Sequence, residues 1–228
     1  MSSSDVKRIL CYGDSNTWGY QPITGQRYDE KTRWTSIAQK ILGSKYQIIE
    51  AGLNGRTTVF EDPFDPYRNG LTGIGYALLE SMPLDLIVIA LGTNDLKFTG
   101  VVGAARGLAS LVTAANQITT RIASDRLYSS AVPAAANEAP KILIVSPILI
   151  HPEIKTINPQ TSFSGGYEKS LELAKAFERV AVATGSYFVD ASKVATPSEL
   201  DGVHMMPDSH FELAKTISCK IKEIFSCS

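Results

Sequence analysis

Short apolar runs alternate along the chain with segments whose apolar residues recur at helical spacing. Runs rich in β-branched residues predict buried strands, and a period of about 3.6 residues predicts helices with one apolar face. Five strands are predicted, at residues 8–12, 46–50, 84–91, 141–146 and 187–189. Four helices are predicted, from Trp34 to a glycine cap at Gly43, over most of 101–127, over 167–184 and over 207–225.

The order of these elements predicts the fold class. Strands that alternate with helices form a mostly parallel sheet, because parallel neighbours need a crossover of about a dozen residues. The run LDLIVIAL at 84–91 is apolar throughout, so this strand must be buried on both faces of the sheet. We therefore predict an α/β protein with a three-layer α/β/α arrangement and one domain over residues 1–228. The alanine- and proline-rich segment at 129–140 is predicted to be a surface loop.

Composition and charge argue against several classes of protein. A hydrophobic content of 44% and a charged content of 20% are ordinary for a globular chain and predict neither disorder nor a membrane span. The formal charge of −1 provides no basic face for nucleic acid. The three cysteines form no CxxC pair, which favours reduced thiols, and residues 1–8 lack the apolar core that a secretory signal requires. We expect a cytoplasmic protein without a nucleic-acid or membrane partner.

Polar residues follow most of the predicted strands at their carboxyl ends. In open parallel sheets, ligands bind just outside these ends. The five segments there are 13–16, 51–58, 92–95, 147–151 and 190–204, and four of them are rich in polar groups. This convergence predicts a functional site at the carboxyl edge of the sheet.

Ser15 is the candidate nucleophile of that site. It directly follows the first strand in the sequence Gly13-Asp14-Ser15, and hydrolysis through a serine needs such a hydroxyl, a base, a group that orients the base, and donors to the oxyanion. The alternative is an ordinary turn, because glycine, aspartate and serine are common turn residues. The G-x-S-x-G signature of the α/β-hydrolase fold does not surround Ser15, so that fold is not predicted.

The base near neutral pH is a histidine, and the chain has three. His204 lies three residues after Asp201, a spacing at which a turn can direct both side chains inward and the carboxylate can orient the imidazole. A solvated loop is the alternative interpretation of this segment. His151 is a second candidate for the base, and Asp190 competes with Asp201 for the orienting role. His210 falls inside the last predicted helix, where an exposed or structural role is expected.

Asn94 and Gly55 are candidates for binding the oxyanion. Asn94 ends the most apolar strand with an amide that can donate a hydrogen bond, although asparagine is also a common helix N-cap. Gly55 lacks a Cβ and can bring its backbone N–H close to a ligand. Together with the Ser15 N–H, these groups provide three donors.

The motifs around Ser15, Gly55, Asn94 and His204 resemble those of the GDSL/SGNH hydrolases, whose name SGNH lists one residue from each. The resemblance is nearest to the arylesterase and acyltransferase-type branch and covers nearly the whole chain. It implies a flavodoxin-like fold, a five-stranded parallel sheet between helices. It also implies Ser15 as nucleophile, His204 as base, Asp201 as orienter, and an oxyanion hole of the Ser15 N–H, the Gly55 N–H and the Asn94 side chain.

Two residues depart from the pattern of this family. Asn16 stands where the family name has leucine, and Tyr20 stands where acyl-transferring members usually have tryptophan. We predict that the substrate pocket contains Asn16, Trp18, Tyr20 and Asn54. Members of this branch often form oligomers, and the segment 62–67 resembles a loop used for that purpose, so a homo-oligomer is expected.

The sequence therefore predicts a serine esterase that cleaves small-acyl aryl or alkyl esters through an acyl-enzyme, with acyl transfer to alcohols or peroxide as a further possibility. An esterase acting on acylated carbohydrate is one alternative, and a non-catalytic flavodoxin-like binding module is another. The glycine-rich segment at 70–75 completes neither G-x-G-x-x-G nor a Walker loop. The histidines lack metal-ligand spacing, so neither a metal nor a cofactor is expected.

Overall fold

The structure is a computed structural model that describes residues 6–124 and 139–226, without the side chains of 122–124. Five strands alternate with helices along these residues. The strands are β1 (Lys7–Gly13), β2 (Tyr46–Gly52), β3 (Leu86–Ala90), β4 (Lys141–Ser146) and β5 (Tyr187–Asp190). The helices are α1 (Ser15–Trp18), α2 (Trp34–Leu42), α3 (Gly70–Ser81), α4 (Val101–Ser124), α5 (Ile154–Ile157), α6 (Gly166–Thr184) and α7 (Pro207–Ser226). Short 3₁₀ turns occupy Pro66–Arg68, Asn94–Lys97 and Ala191–Lys193.

All five strands are parallel and lie in the order β2-β1-β3-β4-β5. This is the strand order of flavodoxin, and it confirms the predicted α/β class. The chain leaves β1 towards β2 on one side and later returns to place β3 on the other. A crevice therefore opens at the carboxyl end of β1, which is the place where Ser15 begins α1.

Helices cover both faces of the sheet, as the apolar run in β3 predicts. Along β3, Ile87 and Ile89 point into a core formed with α3, α4 and α6, whereas Leu86 and Val88 point into a second core formed with α2 and α7. All four side chains are fully buried. Burial of such a side chain contributes about 1.5–3 kcal/mol to folding, so β3 anchors the three layers.

The predicted element bounds agree with the structure to within about two residues for all five strands. Helix α2 ends at a Gly43 cap with φ of 76°, as predicted. The last residues of the predicted 101–127 helix and most of the predicted 129–140 loop lie outside the described residues. The prediction missed α3, which begins in the glycine-rich segment at 70–75. The side chain of Asn69 caps α3 by accepting hydrogen bonds from the backbone of Leu71 (2.9 Å) and Thr72 (3.3 Å).

His210 has a structural environment inside α7. Its side chain is fully buried, and its Nδ1 accepts a hydrogen bond from the Trp34 N–H at 3.3 Å. The Tyr28 ring meets the imidazole edge-on at 5.4 Å. Burial, together with the positive charges of His204 and Arg33, lowers the pKa of His210 to about 4.

We expect His210 to make the protein less stable in mild acid. Its pKa is about 4 when folded and about 6.5 when unfolded, so the unfolded chain binds more protons between these values. The free energy of unfolding therefore falls by about 3 kcal/mol as the pH drops from about 7 to about 4. In His210→Asn, whose side-chain oxygen can still accept the Trp34 N–H, this contribution is expected to disappear. Urea unfolding at both pH values measures it.

The comparison between the two proteins isolates His210. Burial raises the pKa of Asp95 to about 6, which acts in the opposite direction because the folded protein then binds the extra proton. Asp95 is present in both proteins, so its contribution cancels in the difference. An equal loss of stability in the wild type and in His210→Asn would contradict the assignment.

Candidate active site

Ser15 lies at the first turn after β1. Asp14 caps α1 by accepting a hydrogen bond from the Asn16 N–H at 3.0 Å, which fixes the start of the helix directly at Ser15. Ser15 is 7% exposed and lines a cleft of about 380 Å³ at the carboxyl edge of the sheet. As the first residue of the helix, its N–H has no partner within the helix. Burial raises the pKa of Asp14, against the Asn16 hydrogen bond and the nearby charge of His204.

A continuous chain of hydrogen bonds joins Ser15, His204 and Asp201. The Ser15 Oγ is 2.9 Å from His204 Nε2, and His204 Nδ1 is 2.6 Å from Asp201 Oδ2. The other carboxylate oxygen, Oδ1, accepts the backbone N–H groups of Val203 and His204, each at 3.0 Å. Gly202 has φ of 74°, a conformation that glycine adopts without strain, and this tight turn brings Asp201 back against His204.

The His204 side chain favours the ionised form of Asp201. Burial alone raises the pKa of Asp201, but the hydrogen bond and positive charge of His204 outweigh it and hold the pKa below its ordinary value. The carboxylate is therefore ionised near neutral pH and can stabilise an imidazolium. The ring of Tyr20 stacks on that of His204, with centroids 4.2 Å apart and an angle of 29° between the planes.

Asn94 and Gly55 face the same cleft as Ser15. The Asn94 Nδ2 donates one hydrogen bond to the Arg56 carbonyl at 3.1 Å, and an amide nitrogen carries a second hydrogen that can serve a ligand. Gly55 has φ of 78°, and a Cβ at this position would lie 2.5 Å from the Nε of Arg68. The positive φ favours glycine at this position, and any side chain there would also have to displace the end of the Arg68 side chain.

Two ionisable side chains brace the loops that carry these donors. Asp95 accepts hydrogen bonds from the backbone N–H of Thr58 at 3.0 Å and from the Thr58 hydroxyl. The Arg56 guanidinium donates to the carbonyls of Gly13, at 2.9 Å, and Ala51, and stacks 4.0 Å from the Tyr12 ring. Both residues therefore act within the scaffold of the site.

Asn16 joins the loop that carries Ser15 to the loop that carries His204. Its Oδ1 accepts the Met205 N–H at 3.0 Å, and its Nδ2 donates to the Val203 carbonyl at 3.3 Å. Both partners flank His204 in the chain. The Asn16 side chain thus connects the loop of Ser15 to the loop of His204 by two hydrogen bonds, which a leucine side chain cannot form.

Replacing Asn16 by leucine is expected to lower the free energy of unfolding by about 1–3 kcal/mol, because the buried Met205 N–H and Val203 carbonyl lose their partners. Asn16→Asp keeps the acceptor for Met205 but turns an acceptor-only carboxylate oxygen towards the Val203 carbonyl, so a loss of stability is expected there as well. Urea unfolding of the three proteins measures both effects. A leucine variant as stable as the wild type would show that the bridge does not stabilise the fold.

Of the four residues predicted for the substrate pocket, two line the cleft among the described residues. Tyr20 and Asn54 line the cleft, whereas Asn16 and Trp18 are not in its wall as far as the described residues define it. Trp18 packs beneath the Arg27 guanidinium at 5.6 Å, and its carbonyl accepts a hydrogen bond from Arg27 Nε at 2.7 Å.

The rival candidates for base and orienter have other partners. His151 Nδ1 accepts the Glu153 N–H at 3.1 Å, at the start of α5. Asp190 accepts hydrogen bonds from the Ser192 hydroxyl (2.6 Å), the Ser192 N–H (3.1 Å) and the Ser146 hydroxyl (3.2 Å), and caps the turn after β5. Of the histidine–carboxylate pairings considered from the sequence, the structure brings His204 together with Asp201.

Part of the cleft wall was not predicted from the sequence. Arg68 and Lys97 face the cleft, and a further part of its wall is formed by residues 158 and 160–163, in the connection between α5 and α6. A signal for Lys97 was present: it lies three residues after Asn94, and side chains three apart in a 3₁₀ turn point the same way. No periodic pattern marks residues 158–163.

The structure is an α/β protein with a parallel sheet in flavodoxin order. A hydrogen-bonded serine, histidine and aspartate lie at the carboxyl end of β1, where the strand order reverses. The profile of the GDSL-like lipase/acylhydrolase family matches residues 11–214. The chain therefore belongs to this family, that of the SGNH hydrolases. A comparison with curated proteins finds no match.

Several solved structures are similar over almost the whole chain. The aryl esterase of M. smegmatis is 32% identical, with a TM-score of 0.83 over 96% of this chain and 99% of that chain. A carbohydrate acetylesterase from Sinorhizobium meliloti is 31% identical, with a TM-score of 0.84 over 96% and 99% of the two chains. A lipase/acylhydrolase from Enterococcus faecalis, at 16% identity and a TM-score of 0.63 over 96% of each chain, shares the fold.

The similar structures and the hydrophobicity of the helices can be compared with the partners and the location that the sequence predicts. Two of the similar structures are esterases, in line with a small-molecule ester as substrate. No helix within residues 6–124 and 139–226 is long and apolar enough to cross a membrane. In the segment 62–67, the side chains of Phe64 (90%) and Tyr67 (62%) are exposed. The homo-oligomer and the cytoplasmic location stay predictions.

Proposed function

We propose that the protein is a serine esterase that cleaves small-acyl aryl or alkyl esters by way of an acyl-enzyme on Ser15. The observation that carries this proposal is the hydrogen-bonded chain from Ser15 through His204 to Asp201, with distances of 2.9 and 2.6 Å. A hydroxyl becomes a nucleophile when a base accepts its proton and a third group holds that base in one tautomer. The family and its esterase relatives support the same reaction class.

The reaction begins with attack of the Ser15 Oγ on the ester carbonyl carbon, while His204 Nε2 takes the hydroxyl proton. The carbonyl oxygen becomes an oxyanion, which the Ser15 N–H, the Gly55 N–H and the Asn94 amide bind. Each such donor contributes about 10²–10³-fold to the rate. Collapse of this intermediate breaks the ester C–O bond, and His204 returns its proton to the departing alcohol.

The second half of the reaction releases the acyl group. Water enters, gives a proton to His204 Nε2 and attacks the acyl-enzyme, and the carboxylic acid leaves as Ser15 recovers its proton. An alcohol or a peroxide in place of water gives a new ester or a peracid. Asp201 stays ionised throughout and stabilises the imidazolium in each half. The cleft of about 380 Å³ supports a small substrate.

A product assay tests the proposal and measures transfer in the same experiment. The protein is incubated with p-nitrophenyl acetate in water, with and without an added primary alcohol, and acetic acid and acetyl ester are quantified separately. We expect turnover of p-nitrophenyl acetate in both mixtures, and formation of acetyl ester at the expense of acetic acid when alcohol is present. Absence of turnover would contradict the esterase, and acetic acid alone in both mixtures would contradict transfer.

An esterase acting on acetylated carbohydrate is a second candidate. It is supported by four polar residues that line the cleft together with Ser15: Asn158, Gln160, Thr161 and Ser162, whose amides and hydroxyls suit sugar hydroxyls. The relative from Sinorhizobium meliloti is a carbohydrate acetylesterase. The ratio of kcat/KM for an acetylated monosaccharide to that for p-nitrophenyl acetate separates the two candidates, since a ratio well above one favours the carbohydrate.

A further inference from the structure

The charged side chains in the wall of the cleft differ in whether they form ion pairs and hydrogen bonds with other residues. Apart from His204, three charged side chains face the cleft among the described residues: Asp201, Arg68 and Lys97. The Asp201 carboxylate is occupied by His204 and by two backbone N–H groups. The Arg68 Nη1 forms ion pairs with Asp62 (2.8 Å) and Asp65 (2.7 Å). Asp201 therefore has hydrogen-bond donors as partners and Arg68 has two carboxylates, although the buried Nε of Arg68 has no hydrogen-bond partner among the described residues.

Lys97 differs from these two residues in its surroundings. Within residues 6–124 and 139–226, no carboxylate lies within ion-pair distance of its ammonium group. The ammonium instead lies 4.9 Å from the centroid of the Phe163 ring, which also faces the cleft. The side chain is half-buried, and burial together with the positive charge of Arg68 lowers the pKa of Lys97, against the opposing negative charges of Asp14 and Asp62. A cation held in this way gains from any anion that enters the cleft.

The position of Lys97 relative to the reacting atoms follows from its local structure. Asn94–Lys97 is a single 3₁₀ turn, in which side chains three residues apart eclipse one another. Because the rise is about 2.0 Å per residue, the Cα atoms of Asn94 and Lys97 are separated by about 6 Å along the turn. A substrate whose ester oxygen lies at Asn94 therefore has Lys97 within reach of a group a few bonds away.

We propose that Lys97 determines specificity for esters that carry a carboxylate, which its ammonium binds while the ester group lies at Ser15 and Asn94. A half-ester of a short dicarboxylic acid carries the carboxylate on the acyl side, and an ester of a hydroxy acid carries it on the alcohol side. An ammonium with no carboxylate at ion-pair distance among the described residues can pair directly with one negative charge of a ligand. This inference rests on the proposed esterase function and narrows its substrate class.

Matched pairs of substrates test the proposal. On the acyl side, monomethyl succinate is compared with methyl succinamate, and on the alcohol side 4-acetoxybenzoate is compared with 4-acetoxybenzamide. Each pair differs only by a carboxylate against a carboxamide of nearly the same shape. In the wild type we expect kcat/KM to be about 10- to 100-fold higher for the carboxylate in at least one pair, the range given by a charge-assisted hydrogen bond. The pair that shows the preference identifies the side that carries the charge.

Substitutions then assign the preference to Lys97. In Lys97→Met, which keeps an unbranched side chain without the charge, the ratio of carboxylate to carboxamide kcat/KM is expected to fall to about one. Lys97→Arg should retain most of the ratio because it keeps the positive charge. Lys175→Met removes a lysine charge from the exposed surface of α6, away from the cleft, and should leave the ratio unchanged.

The outcomes distinguish failure of this inference from failure of the proposed function. If the wild type cleaves the carboxamide esters at least as well as their carboxylate partners, the esterase stands and the specificity for a carboxylate is overturned. If the preference exists but survives in Lys97→Met, the assignment to Lys97 is overturned. If none of the four esters nor p-nitrophenyl acetate is cleaved, the esterase function itself is overturned, and this inference falls with it.

Discussion

Replacing Ser15 by alanine is expected to lower kcat for p-nitrophenyl acetate by about 10⁴- to 10⁶-fold, the range found when the nucleophile of a serine hydrolase is removed. The Ser15 Oγ is the atom 2.9 Å from His204 Nε2, and alanine leaves the imidazole with no hydroxyl to deprotonate. The residual rate then comes from the oxyanion donors and from substrate binding. Burst and steady-state measurements of p-nitrophenol release give kcat, and labelling with a fluorophosphonate probe reports the nucleophile directly.

The control for this prediction is Ser44→Ala, which removes a hydroxyl from an exposed serine in the connection between α2 and β2. It should keep full activity and full labelling, whereas Ser15→Ala should lose both. The two variants should unfold at similar urea concentrations, because the Ser15 hydroxyl is hydrogen-bonded to His204 at the wall of the cleft and not within the apolar core. Labelling that persists in Ser15→Ala would rule out Ser15 as the nucleophile.

The alternation of apolar runs with segments of helical period was sufficient to predict an α/β fold with a parallel sheet, because parallel neighbours need long crossovers. The run at 84–91 predicts a central parallel strand, and the structure has β3 there, with Leu86 and Ile87 buried on opposite sides. Helix α3 escaped prediction for a physical reason. It contains three glycines, at positions 70, 73 and 75, and glycine disfavours helix by about 1 kcal/mol relative to alanine. The Asn69 cap and the packing of Ile74 and Leu78 against the sheet compensate for them.

The candidate site could be predicted as a set of strand ends but not as a shaped cleft. Residues 13–16 and 92–95 meet because they follow neighbouring parallel strands, whose carboxyl ends share one edge of the sheet. Residues 201–204 reach the same edge through the loop between β5 and α7. The role of Asn16 depends instead on contacts with Val203 and Met205, almost the whole length of the chain away. The wall at 158–163 comes from an irregular connection whose path is set by tertiary contacts, and no sequence period encodes it.

Between Asp201 and Asp190, the sequence favoured Asp201 as the orienting residue because of its spacing to His204, and the two side chains are hydrogen-bonded in the structure. Asp201→Asn is expected to lower kcat by about 10⁴-fold. The carboxamide oxygen can keep the hydrogen bonds from the Val203 and His204 N–H groups, which Oδ1 accepts at 3.0 Å. The amide NH₂ then takes the place of Oδ2, 2.6 Å from His204 Nδ1. Because that group can only donate, it favours the tautomer with the proton on Nε2.

A histidine protonated on Nε2 cannot accept the Ser15 proton, so geometry is preserved while the base is lost. Asp190→Asn is the matched control, since Asp190 caps the turn at Ser192 and is hydrogen-bonded to Ser146. Its kcat should stay within about threefold of the wild type if it contributes only to the scaffold. Steady-state kinetics on p-nitrophenyl acetate, with circular dichroism to verify folding, compares the two variants. Near-normal kcat in Asp201→Asn together with an inactive, folded Asp190→Asn would transfer the orienting role to Asp190.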